Sequence, residues 1–255
     1  EGGIVSAEIL YCGDTDLKSQ ASYLAGVLAH WGFDFEHRPS DWLLQAGEVS
    51  NRKLVILSDF PATGMDETVQ SMLMDNVSNG TGLLMIGGWE SFHGLCGDWD
   101  ASVLADALPV EILSVDDRLN CDNPVLLRKT SSHRITDPLP FVDRPPYVGG
   151  FNQFTAKSDA TVLLEADELA CRHQDGQWQT QLTQTHPMLV IGEFGRGRTA
   201  AMATDVAPHW VGGFVDWGPG RVLAQGDGAE AVEVGNLYAE FWKHLVSHLL
   251  NVNAE

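Results

Sequence analysis

Trp89, Glu90, Ser91 and His93 follow a glycine pair, Gly87-Gly88, and put an indole, a carboxylate, a hydroxyl and an imidazole on one short turn. A carboxylate in the position of Glu90 acts as a general base if desolvation raises its pKa, or it simply accepts hydrogen bonds from turn amides. Ser91 becomes a nucleophile if His93 or His209 takes its proton. The string Trp-Glu-Ser-Phe-His is not Gly-x-Ser-x-Gly, however, and serine is equally suited to capping the turn that follows. A second group comes late in the chain, where Asp205, His209, Trp210 and Trp217 lie close together. Asp205 and His209 can orient one another, or hold a divalent ion together with Glu90. Two ligands and a distant third fall short of metal-site spacing, so no metal is expected. Trp89, Trp210 and Trp217 either wall an apolar or sugar-binding pocket or fill the core behind long loops. Asp59, in the loop SDFPATG, is the remaining binding candidate.

These residues need elements to position them. Leu83 to Ile86 is an apolar run of strand length that stops at Gly87, and open α/β sheets build sites at such carboxyl ends. Ahead of it, Ala7–Cys12, Phe33–Glu36 and Leu54–Leu57 read as strands, and the spacing of Leu17, Ala21, Leu24, Val27 and Leu28 predicts a helix over 16–30. Asp14 or Thr15 is its expected cap, a short helical turn is expected over 42–45, and Asp66 opens a helix through Val77. Strands alternating with helices imply a mainly parallel sheet covered on both faces. From about 109 to 185 prolines and short β-like runs replace helical periodicity, at 110–115, 125–128 and 161–164. With no low-complexity linker, this stretch reads as a β-rich insertion in one domain spanning 1–255. Met188–Phe194 and Arg198–Thr204 flank a GRG turn and form an antiparallel hairpin, so GRGR is a turn and no phosphate cradle. Asn236–Leu250 carries Leu237, Phe241, Leu245 and Leu249 at helical spacing.

The chain has 255 residues and a formal net charge of -20. Such a surface repels phosphate backbones and anionic lipid, so nucleic acid and membrane are not expected partners. No apolar run reaches the length of a membrane span, and no basic n-region precedes an apolar h-region. Cys12, Cys96, Cys121 and Cys171 are scattered without a CxxC pair, which fits reduced thiols and a cytoplasmic location. Cys96 sits in GLCGD, ten residues past Ile86, and reads as a small buried thiol. His133 and His186 read as structural.

The segments GLLMIGGWESFHG, GGFNQF, HPMLVIGEFGRGRTAAMATDVAPHW and NLYAEFWKHLVSHLL resemble the glutamine amidotransferase-like proteins of the class I glutamine amidotransferase-like superfamily. A weaker resemblance extends to the neighbouring trehalose-utilisation-type proteins. The resemblance implies a flavodoxin-like α/β three-layer sandwich. It also implies a cysteine at the turn after the fourth strand and a late histidine–glutamate pair. The elbow here reads Gly87-Gly88-Trp89-Glu90-Ser91, without cysteine; His209 matches the late histidine, but Trp210 and Val211 follow it where the glutamate is sought. Two readings stay open. One is an amidotransferase-like hydrolase of unknown substrate, using His209, Glu90 and Ser91 as candidate catalytic groups but not working as a glutaminase. The other is a non-catalytic domain that binds a small polar ligand, such as a carbohydrate, or a protein. Trp89, His93, Asp205, Trp210, Trp217 and Asp59 are the binding candidates; no cofactor is expected, and the sequence leaves room for a homo-oligomer.

Overall fold

A computed structural model describes residues 7–252. The first half builds the parallel core: β1 (Ile9–Gly13), α1 (Ala21–His30), β2 (Phe35–Arg38), α2 (Ala46–Val49), β3 (Leu54–Ser58), α3 (Glu67–Ser78) and β4 (Gly82–Ile86). Every residue of β1, β3 and β4 is buried, which is why these strands read as continuous apolar runs rather than alternating ones. Asp66 caps α3 by accepting from the Val69 amide at 2.8 Å. Asp14 does not cap α1, which starts five residues later than the spacing implied, at Ala21; its side chain turns inward instead. The short helix forms over Ala46–Val49 rather than 42–45, because Gln45 and Glu48 make a capping box.

The second half extends the same sheet. After β5 (Val110–Ile112) come β6 (Arg118–Lys129), β7 (Tyr147–Asn152), β8 (Phe154–Ala156), β9 (Thr161–Gln174), β10 (Gln177–Phe194) and β11 (Gly197–Met202). One nine-stranded sheet runs in the order β2-β1-β3-β4-β11-β10-β9-β6-β7. Its first five strands are parallel, and β10, β9, β6 and β7 continue it in antiparallel fashion. The β-like runs at 125–128 and 161–164 are thus fragments of longer strands. β9 and β10 form a ribbon that outruns its neighbours, since β6 pairs with β9 only as far as Glu168. Pro187, which cannot donate to a ladder, sits beside a bulge in β10. β5 and β8 pair separately.

The chain closes with α4 (Pro208–Val211), β12 (Arg221–Ala224), β13 (Val232–Gly235) and α5 (Asn236–Leu249). Helix α1 packs with α5, and α2 with α3, covering the sheet as a three-layer α/β sandwich. Among the described residues no helix is long and apolar enough to cross a membrane.

Candidate functional site

Three core strands end in the same way. One small residue follows the apolar run, Gly13, Ser58 or Thr204, and then an aspartate: Asp14, Asp59 or Asp205. β1 and β3 are adjacent and β11 lies one strand beyond, past β4, so the three carboxylates gather at the carboxyl edge closely enough to feel one another's charge. Asp14 is buried and accepts a short hydrogen bond from the Tyr11 hydroxyl. Burial raises its pKa well above the ordinary carboxylate range, and the charges of Asp205 and Asp59 push it further. Burial, followed by the charge of Asp59, lifts Asp205 to about 7, against the pull of bonds from the Ala207 and Val206 amides. These groups hold protons at a pH where an exposed carboxylate does not.

Asp59 joins this cluster to the turn after β4. Its Oδ1 accepts from the Glu90 amide at 2.6 Å, and the Trp89 amide also points to its carboxylate. Gly88 permits this approach, because a Cβ there would meet Asp59 Oδ1 at 2.6 Å. The turn is fixed from the other side by residues of the β-rich region. Buried Asn152 accepts from the Gly88 amide at 2.9 Å and donates to the Gly88 carbonyl at 3.1 Å and to Asp117 at 2.7 Å. Asp117 in turn accepts from the amides of His93 and Gly94.

A cleft of about 640 Å³ opens beside this cluster. Asp59 and Asp205 line it with Trp89, His209 and Glu230, and hydroxyls come from Thr15, Ser19, Ser22 and Tyr23 around the start of α1. The Trp89 and His209 rings lie 6.4 Å apart, and the Arg118 guanidinium sits 4.8 Å over the indole. The lining is rich in hydrogen-bond acceptors and hydroxyls, with an exposed aromatic edge.

Glu90, Ser91 and His209 do not converge. His209 reaches the cleft. Glu90 faces a separate recess of about 240 Å³ with Ser40, Asp41 and Trp42. Ser91 is buried, donating to the Ile86 carbonyl at 2.5 Å and accepting from the Asp59 amide at 2.9 Å, so it is neither aimed at the cleft nor a helix cap. Trp210 and Trp217 are core residues rather than cleft wall. Trp210 donates to Asn120 and packs on Gly150; Trp217 donates to the Arg144 carbonyl and packs on Phe141 and Phe214. Trp89 alone of the three indoles lines the cleft. Cys96 is exposed, not buried, with φ +70°.

His93 lies outside the cleft. Its Nδ1 is 2.7 Å from Asp100, and Asp98 joins them, so that one ligand atom from each lies within 4.8 Å of the others. The hydrogen bond to Asp100 raises the His93 pKa. The sequence reading missed Asp14, Asp117 and Asn152. The repeated strand-end aspartate was the available signal for Asp14, and GGFNQF contains Asn152.

A family model described as "Putative glutamine amidotransferase" (GATase1-like) matches residues 49–223. Among solved structures, the chain is similar to cytoplasmic protein STM3548 from Salmonella typhimurium, with a TM-score of 0.72 and 23% identity over 95% of this chain and 98% of that one. Cytoplasmic protein STM1381 from Salmonella typhimurium LT2 gives a TM-score of 0.73 and 24% identity over 94% and 98%. A thua-like protein from Bacteroides uniformis gives 0.50 and 11% over 100% and 98%. A comparison with curated proteins yields no significant match.

Proposed function

The chain belongs to the GATase1-like, glutamine amidotransferase-related family, and from that premise we propose that it binds a small, hydroxyl-rich ligand of the carbohydrate class instead of hydrolysing glutamine through a thiolate. One observation carries the reading. The turn where the family chemistry needs a nucleophile presents Trp89, and the adjacent amides are engaged by Asp59. An amide already holding a carboxylate is not available to stabilise an oxyanion. Beside that closed turn, Asp59, Asp205 and the α1 hydroxyls offer acceptors and donors to ligand hydroxyls, and Trp89 offers an apolar ring for a sugar face. The likeness to the thua-like protein from Bacteroides uniformis is one of fold alone. A cytoplasmic location fits the description of the two Salmonella proteins, and one domain over 1–255 fits the continuous sheet.

A second reading is favoured by Asp205. With its pKa at about 7, it is suited to hand a proton to a leaving group and take one back at neutral pH, with His209 across the cleft. Hydrolysis of a bound glycoside or amide by this acid/base route would need no thiol.

The test is thermal-shift and calorimetric screening of the purified protein against mono- and disaccharides, with Trp89→Ala and Asp205→Asn beside the wild type. A stabilising sugar whose effect is lost in Trp89→Ala supports binding, and turnover lost in Asp205→Asn selects the acid/base reading. Glutaminase activity that disappears in Cys96→Ala would overturn both.

A further inference from the structure

A cavity of about 790 Å³ lies at the opposite edge of the sheet, where β10 ends and β11 begins. Its lining is sorted by depth. Thr199 and His248 are buried, and among the described residues the Thr199 hydroxyl has no hydrogen-bond partner. Arg198, His133 and Lys157 are half-buried in the walls, while Asp106, Asp159 and Glu193 are exposed at the rim. Gly192 faces the same space: a Cβ there would come 3.5 Å from Thr199 Oγ1.

The bland account is that the cations serve α5. Arg198 donates to the His248 carbonyl at 2.7 Å, and Arg134 donates to the same carbonyl and to the His248 ring, both at 3.3 Å. Cations at a helix carboxyl end complement its dipole. That use occupies one N–H of Arg198 and leaves the rest of its fork; it explains neither the unpartnered Thr199 hydroxyl nor the acids above. His248 is held down to about 3 by burial and by His133, Arg198 and Arg134, and burial lowers His133 as well. Both rings are therefore neutral at pH 7, and positive charge near the cavity comes from Arg198, Arg134 and Lys157. Lys157 spends its ammonium on the carbonyls of Ala105 and Asp106.

We propose that this cavity binds a small zwitterion of the amino-acid class, its carboxylate on Arg198 and Thr199 at depth and its ammonium among Asp106, Asp159 and Glu193 at the rim. A simple anion would have to cross the acidic rim of a chain carrying -20, and a simple cation would leave Arg198 and Thr199 unserved. A zwitterion meets both charges without adding to either.

The experiment is titration of the full chain at low salt with 4-aminobutyrate and 6-aminohexanoate, using butyrate and butylamine as single-charge controls. At least one zwitterion is expected to bind tenfold or more tightly than either control. Arg198→Gln should cost tenfold or more, and Thr199→Val should weaken binding. Because Arg198→Gln also removes a helix cap, the exposed pair Asp159→Asn/Glu193→Gln provides an independent check and should weaken the zwitterion while leaving butyrate unchanged. Asp205→Asn, at the far edge, should have no effect on this binding. Absence of zwitterion binding, butyrate binding as tightly, or loss of binding in Asp205→Asn would each overturn the proposal.

Discussion

At the residue scale, Asp205 gives the protein one marked response to pH. Its folded pKa of about 7 stands above the ordinary value of about 3.9 for an unfolded aspartate. Between those values the folded state binds the extra proton, so this residue's contribution to stability is complete below about pH 4 and is lost as pH rises through about 7. Asp205→Asn removes the ionisation and should flatten that slope. Urea denaturation is expected to show the variant more stable than wild type at pH 8, by up to about 4 kcal/mol, and little changed at pH 4. Asp14 shifts in the same direction, so some slope should remain. The cluster was partly legible in the sequence: Asp59 and Asp205 follow strand ends, and His209 lies one loop further on. The fates of Ser91, Trp210 and Trp217 were not, because a turn's backbone decides where its side chains point. Asp59 at φ +46° and Phe92 at φ +53° redirect the chain locally, and no residue-type pattern marks those angles.

At the element scale, the parallel core was readable because its strands are buried on both faces and leave unbroken apolar runs. The β9–β10 ribbon was not, since nearly all of Gln177–Thr185 is exposed and has no apolar alternation to read. Its turn did carry a signal. Asp175 and Gly176, at φ +53° and +74°, form the Asp-Gly two-residue connection of a tight hairpin. Past Ala170 the ribbon rests mainly on its own ladder. Limited proteolysis is therefore expected to cut first within 171–182, with the thermal midpoint of the nicked protein close to that of the intact one. A first cut elsewhere, or a midpoint lowered by 10 °C or more, would show the arm to be integral to the core.

At the scale of the whole molecule, 35 acidic residues face 15 basic ones, and the described ion pairs neutralise only some of them. Self-repulsion of such a surface opposes the compact state, and salt screens it as the Debye length falls from about 10 Å at 0.1 M to about 3 Å at 1 M. The melting temperature should rise by several degrees between 20 and 500 mM sodium chloride, a trend that scanning calorimetry can follow; a fall would mean that specific ion pairs outweigh the general repulsion.

The ribbon also governs how the molecule moves through solvent. At about 3.3 Å per residue, the nine exposed residues of β10, Gln177–Thr185, project about 30 Å, whereas a whole five-residue core strand covers about 17 Å. A body with such an outrigger does not tumble as a sphere. Spinning about the arm's long axis is quick and end-over-end rotation is slow, so the rotational friction felt by any bond in the core depends on its angle to the arm.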